Sequence, residues 1–129
     1  MAVLADRSEV VNDKPNVIGI FQSVLAASFP TTLTGVLVIR IALESDESEA
    51  VVHLGMRFVR GRTVLAELGL RADVAPATPE QPLRGLDLTV DLLGTLVPEP
   101  GQYAFEIRAG SRLLTRVPFS AQLNRALRN

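Results

Sequence analysis

Residues 98–119, PEPGQYAFEIRAGSRLLTRVPF, carry the clearest structural pattern in the chain and decide the class of fold that we predict. Tyr103, Phe105 and Ile107 alternate with small or charged residues, which is the two-residue period of a half-buried β-strand. A glycine-containing turn follows, and a second alternating run passes through Val117 to the end of the stretch. The stretch therefore predicts a β-hairpin.

Burial selects the register of this hairpin, because a slip of one residue moves the apolar side chains of a strand to its other face. A two-residue turn at Gly110-Ser111 would place Arg116 opposite Phe105. A three-residue loop places Val117 there instead, so we predict a loop of residues 110–112. The predicted pairs are Ala109–Leu113, Ile107–Thr115, Phe105–Val117 and Tyr103–Phe119, with Glu106 opposite Arg116 on the outer face.

Pro118 lacks a backbone N–H, which predicts that the last strand lies at a sheet edge near its end. After Phe119, Ser120 could cap a short C-terminal helix in which Leu123, Ala126 and Leu127 share a face. The sequence leaves open whether the Leu123-Ala126-Leu127 stripe docks on its own domain or on a partner.

Six further strands are predicted from alternating or apolar runs between turn residues, at residues 2–11, 17–24, 36–43, 52–58, 64–74 and 86–92. Residues 64–74 also have apolar residues at helical spacing. The alternation is longer, and Gly69 would cost a helix about 1 kcal/mol, so a strand is favoured.

About eight strands, each with one solvent-exposed face, predict a single all-β domain over residues 1–129. The predicted architecture is a two-sheet antiparallel β-sandwich of immunoglobulin-like type, because two half-apolar sheets bury their apolar faces against each other. A small closed barrel is the alternative.

Composition restricts the class of partner. The net charge is −1, which does not suggest a nucleic-acid or anionic-membrane binder. All but one of the 13 cationic residues are arginines, and with abundant Ala, Val, Leu and Gly this favours a GC-biased bacterial genome.

No cysteine is present to form a disulfide or thiolate site. The longest apolar run, 36–43, contains Arg40 and is too short to span a bilayer, so we expect a cytoplasmic protein.

Two stretches carry a resemblance to a known group of proteins. LADRSEVVNDKPNVIGIF near the start, and PEPGQYAFEIRAGSR followed by VPF near the end, resemble an uncharacterised bacterial family of single-domain β-sandwich proteins, a domain of unknown function. The resemblance covers nearly the whole chain. It implies the fold and brings no activity with it.

His53 is the sole histidine, and no nucleophile motif accompanies it, so we predict no catalytic residue and no enzymatic activity. A zinc site would need further His or Cys ligands, and we predict neither a metal nor a cofactor. Asp87 and Asp91 lie on one strand face about 13 Å apart, too far for a catalytic acid pair, and Arg71 is the suggested cross-strand partner.

Two charged clusters remain. The acidic residues Glu44, Asp46, Glu47 and Glu49 lack the spacing of a calcium loop and are interpreted as a solvated turn. The arginines at positions 57, 60, 62, 71 and 84 could line one patch, but few aromatic residues are available to stack on bases.

The function expected from these patterns is a non-enzymatic interaction or scaffolding module that contacts a protein partner, or itself, through a sheet edge or loops. The alternative is a small-ligand-binding sandwich that uses the loops at 26–34, 76–85 and 94–101.

Overall fold

The computed structural model describes residues 2–11, 14–43, 51–75 and 84–124, and all regular secondary structure in this part of the chain is β-strand. The strands are β1 (Ala2–Val11), β2 (Lys14–Phe21), β3 (Ser23–Ala26), β4 (Thr31–Thr32), β5 (Val36–Leu43), β6 (Val51–Arg60), β7 (Thr63–Ala75), β8 (Arg84–Asp91), β9 (Leu96–Val97), β10 (Gly101–Ala109) and β11 (Arg112–Leu123). No described segment is a helix that could cross a membrane.

Nine strands form one sheet in the order β2-β1-β5-β8-β7-β6-β10-β11-β3, and β4 with β9 forms a small second sheet. Every neighbouring pair is antiparallel except β11 and β3, which run parallel. The prediction of an all-β fold is confirmed. The large sheet is mixed, however, where a purely antiparallel arrangement was predicted.

The eight predicted strands correspond to β1, β2, β5–β8, β10 and β11, and the described chain contains eleven. Two of the additional strands, β4 and β9, are two-residue pieces within predicted loops. The third arises because the predicted strand 17–24 is interrupted at Gln22, which divides it into β2 and β3. The choice of strand over helix for residues 64–74 is confirmed.

Gln22 shows how the sheet is closed. It alone separates β2 from β3, yet these strands lie at opposite ends of the nine-stranded order. The two ends must therefore be adjacent in space. Its carbonyl accepts a hydrogen bond of 3.0 Å from the N–H of Ser120 in β11. The sheet consequently curves until its first and last strands meet and encloses a core.

The centre of this core is a group of aromatic rings from three neighbouring strands. The Phe58 ring stacks on those of Tyr103 and Phe105, with centroids 5.4 and 4.9 Å apart, and Phe119 stacks on all three. Leu4 from the other half of the sheet belongs to the same buried cluster. The Tyr103 hydroxyl donates to the carbonyl of Glu99, four residues upstream, so its one polar group is satisfied.

The hairpin β10–β11 has the predicted core register. Tyr103 pairs with Phe119, Phe105 with Val117, Ile107 with Thr115 and Glu106 with Arg116. The predicted three-residue loop is wrong, because Ala109 pairs with Arg112 across a two-residue turn. A β-bulge after Ile107 inserts one residue into β11 and restores the register that burial requires.

The helix predicted for the C-terminal region is wrong where it can be compared. Ser120 to Leu123 continue β11 as a strand, paired in parallel with β3, so no helix begins at Ser120. The end of β11 is therefore not a sheet edge, although Pro118 itself precedes the segment that β3 covers. Ala126 and Leu127, the remainder of the predicted stripe, lie outside the described residues.

Candidate interaction edge on strand β7

The residues that the sequence suggested for chemistry do not converge on one place. His53 is exposed on β6, opposite Arg71 on β7. Asp87 forms an ion pair with Arg40 at 3.3 Å and not with Arg71. Asp91 accepts a hydrogen bond of 2.9 Å from the N–H of Leu93, which stabilises the turn after β8. No group of three His, Cys, Asp or Glu side chains in the described segments could hold a metal ion.

Two of the five arginines in the proposed patch contact other parts of the chain. Arg57 pairs with Glu67 at 3.0 Å. Arg60 pairs with Glu99, donates to the Pro100 carbonyl at 3.3 Å and lies 5.7 Å from the centroid of the Tyr103 ring. These two side chains stabilise local structure.

Arg62 and Arg71 are exposed, and Arg84 begins β8. The acidic turn with Glu44, Asp46, Glu47 and Glu49 lies outside the described residues.

The two described loops of the ligand-binding alternative are joined to each other. Loops 26–34 and 94–101 meet in the β4–β9 pair, where Thr31 faces Val97. The N–H of Leu33 also donates to the Thr95 carbonyl at 2.8 Å. Leu33 and Val97 are buried. In the third loop, residues 76–83 lie outside the described part of the chain.

Along most of strand β7, only one edge is paired with another described strand. It pairs with β6 from Thr63 to Asp73, and with β8 only at Val74 and Ala75. Residues 63–73 therefore have no strand on their second edge within the described structure. In an antiparallel ladder, alternate residues direct their N–H and C=O to opposite edges, so about half of these residues present unpaired backbone groups.

On one face of β7, the side chains become more exposed where β8 no longer lies beside the strand. Val74 and Ala72, near the β8 contact, are buried, with Val74 only 5% exposed. Leu68, six residues before Val74 on the same face, is 50% exposed. Because successive side chains of a strand alternate between faces, Leu68 points to the same side as these buried residues. It remains exposed because β8 has already turned away.

A largely apolar slot of about 150 Å³ lies between residues 66–68 of β7 and the chain at the end of β8. It is lined by the buried rings of Phe58 and Phe105, by Leu68, and by Leu92, which follows β8. The other lining residues are Met56, Ala66, Glu67, Asp91 and Thr95. Leu93, the residue after Leu92, is 73% exposed. The opening thus has a buried aromatic side and an exposed aliphatic rim.

The outer face of β7 carries charge. Glu67 lies opposite Arg57 of β6 and forms the ion pair described above. Arg71 lies on the same face two pairs away and forms no ion pair with another described residue. The free edge therefore has an apolar inner face and a charged outer face.

Another free edge within the described structure, on β2, carries sequence features that β7 lacks and that disfavour strand addition. β2 begins with Lys14 and Pro15, and Gly19 interrupts it with a φ of 74°. Lysine, proline and local irregularity are the features that natural sheets use to block edge-to-edge pairing. Residues 66–73 of β7 contain neither lysine nor proline.

The sequence predicted β7 as a strand and a sheet edge as the contact, but it did not say which edge. Leu68 and Val74 follow the same alternating pattern, so nothing in the pattern separates the exposed residue from the buried one. The site depends on where β8 leaves β7.

The described chain is therefore an all-β domain with a long strand edge left unpaired. Over residues 1–122 it matches the model of a family of unknown function, DUF6941, and it belongs to that family. The match confirms the predicted resemblance to an uncharacterised single-domain family. A search of curated proteins found no match to the chain.

Proposed function

We propose that this chain is a non-enzymatic interaction or scaffolding module of a bacterial cytoplasm, and that it binds a protein partner through the free edge of β7. The observation that carries the proposal is the unpaired edge of residues 63–73 beside an apolar slot. Unpaired backbone N–H and C=O groups bind an extended segment as an additional strand, and side-chain pockets beside the edge supply specificity.

The dimensions of the slot define the chemistry of the partner segment. A largely apolar cavity of about 150 Å³ accommodates a group of the size of benzene. We therefore expect the partner strand to place one aliphatic or aromatic side chain between Leu68 and Leu92. Residues of that strand on the opposite face would meet the charges of Glu67 and Arg71.

We also propose that the fold is a two-sheet sandwich of the immunoglobulin-like type. Three observations support this. β6 pairs with β10 and β10 with β11, as the C, F and G strands of that fold do, and β5 pairs with β8 as B does with E. The Tyr103 hydroxyl binds the backbone four residues upstream, as in a tyrosine corner. A sandwich of this kind presents its edge strands to partners.

Site-specific photo-crosslinking tests the proposed contact. A photoreactive phenylalanine analogue replaces Leu68 at the free edge, and the matched control carries it at Leu113, which is similarly exposed but lies beside the β10–β11 turn. After irradiation in a native bacterial lysate, we expect a discrete cross-linked protein from position 68 that is absent from position 113. Identical or empty patterns from the two positions would rule out the β7 edge as the contact.

Small-ligand binding is the second candidate, and one observation favours it. The described loops 26–34 and 94–101, which are distant in sequence, meet through the β4–β9 pair. A thermal-shift screen against sugars, nucleotides and other metabolites checks this candidate. We expect a bound ligand to raise the melting temperature, since it stabilises only the folded state. A screen with no stabilising compound would argue against it.

A further inference from the structure

The free edge of β7 restricts the ways in which a regular strand can be added to it. A β-bulge interrupts the ladder at Leu65, because Val64 pairs with Val59 while Ala66 pairs with Phe58. At the other end, β8 pairs with this edge of β7 at Val74 and Ala75. The regular segment without a second partner strand in the described structure is therefore residues 66–73. Eight residues exceed the length of a typical strand, which is about 5–6 residues.

An identical strand can pair with this segment around a two-fold axis in only a few registers. Facing residues in an antiparallel pair must both direct their backbone groups towards each other or both away. The two-fold axis must therefore pass beside a residue rather than between two residues. Only axes at Leu68, Gly69, Leu70 and Arg71 keep at least five residues of the segment paired.

The outer-face charges distinguish these registers. An axis at Leu70 places Glu67 opposite Asp73 of the second copy, twice, and like charges in direct opposition are unfavourable. An axis at Leu68 places Glu67 opposite a glycine. An axis at Arg71 places that arginine opposite its own copy, which is again an unfavourable pair of like charges. An axis at Gly69 places Glu67 opposite Arg71 of the second copy, also twice, and opposite charges at this position are favourable. Charge complementarity therefore selects the axis at Gly69.

The same register is favourable on the apolar face. It pairs residues 66–72 of one copy with residues 72–66 of the other, which covers almost all of the free segment. Leu68, which is half exposed, then lies opposite Leu70 of the second copy. On the outer face, each Glu67 carboxylate keeps its contact with Arg57 of its own chain and gains Arg71 of the other, because its two oxygens can accept from both.

We propose that the partner strand is β7 of a second copy of this chain, added antiparallel around a two-fold axis at Gly69. This inference rests on the proposed function, because it identifies the partner at the same edge. The two sheets would then continue into each other through the paired strands, and the exposed apolar edge of each copy would be covered by the other.

Charge reversal at the two residues that face each other tests the register. Light scattering coupled to size-exclusion chromatography should give the mass of a dimer for the wild type. Glu67→Arg places two pairs of arginines opposite each other, and Arg71→Glu places two pairs of glutamates opposite each other. We expect each variant to weaken dimerisation by at least about tenfold, because two favourable pairs become repulsive.

Mixing the two variants separates the proposed register from general destabilisation. An equimolar mixture of Glu67→Arg and Arg71→Glu should form a heterodimer, because every arginine then faces a glutamate. Arg57→Gln is the matched control. It removes the intramolecular partner of Glu67 but leaves the charges across the axis, so it should remain a dimer.

A wild type that is monomeric at all concentrations, or a mixture that associates no better than its components, would overturn the proposal. The cross-linking experiment at position 68 shows whether the proposed function falls with it. Capture of a different protein there would leave the interaction edge in place and exclude the second copy as its partner. Cross-linked dimers that are insensitive to both charge reversals would overturn the register.

Discussion

Gly35 and Gly110 both have backbone conformations that favour glycine, but their surroundings differ. Their φ angles are 98° and 60°, within the left-handed region. A Cβ atom at Gly35 would lie 2.5 Å from the carbonyl oxygen of Ala5, which belongs to the buried backbone of β1. A Cβ atom at Gly110 would meet nothing within 4 Å. Only at Gly35 does close packing add to the conformational requirement.

Replacing each glycine with alanine should separate these two effects. We expect Gly110→Ala to lower the free energy of unfolding by about 1–2 kcal/mol, the cost of a left-handed conformation for an L-residue. Gly35→Ala should lower it by more, because the β1 backbone must also move. Urea denaturation measures both values. Equal losses of unfolding free energy would mean that the β1 backbone at Ala5 can move without a measurable energetic cost.

Strand β7 shows how one element can change its environment along its length. Val74 and Leu68 belong to the same alternating face, and the exposed fraction rises from 5% to 50% between them. The cause is the departure of β8, which pairs only with Val74 and Ala75. One end of the strand is part of the core, and the other end is a surface available to a partner.

Introducing lysine at each position tests this difference. Val74→Lys should destabilise the fold by about 3–5 kcal/mol, because it leaves a charge buried without a partner. Leu68→Lys should lower the free energy of unfolding by only about 1 kcal/mol, since half of the side chain is already in contact with water. Urea denaturation of the dilute, monomeric protein measures both. A large loss at Leu68 would show that β8 or another segment covers it in solution.

The hairpin β10–β11 is the element that the sequence described best. The predicted pairs of Tyr103, Phe105 and Ile107 are confirmed, because only one register buries all three side chains. The turn could not be predicted in the same way. A two-residue turn followed by a bulge, and a three-residue loop, give the same register in the core, and the alternating pattern does not distinguish them.

In the whole molecule, the closure at Gln22 makes the two halves of the sheet depend on one core. β2 and β3 belong to opposite ends of the sheet and are separated by that one residue. The buried cluster contains Leu4 and Leu37 from one half, and Phe58 and Phe105 from the other. Neither half can bury its apolar face without the other, so we expect the structure to unfold cooperatively.

Two spectroscopic probes can check this expectation. The single tyrosine, Tyr103, is buried in the aromatic group of one half, and its fluorescence reports on that half. Far-UV circular dichroism reports on all strands. We predict that both signals change with the same urea midpoint and the same slope, as in a two-state transition. Separate midpoints would show that the halves unfold independently.

The amino-acid pattern was sufficient to place the eight predicted strands and the apolar face of most of them, although it did not predict β3, β4 or β9. Both are local properties, because the two-residue period of a strand can be recognised from consecutive residues such as Tyr103 to Ile107. Apart from the β10–β11 hairpin, the order of the strands in the sheet was set by tertiary packing. The parallel pairing of β11 with β3 and the closure at Gln22 bring together residues that are distant in the chain. The point at which β8 leaves β7 also depends on packing and not on the local pattern. Leu68 and Val74 are equivalent in the pattern, and only the path of β8 makes one a core residue and the other part of a binding edge.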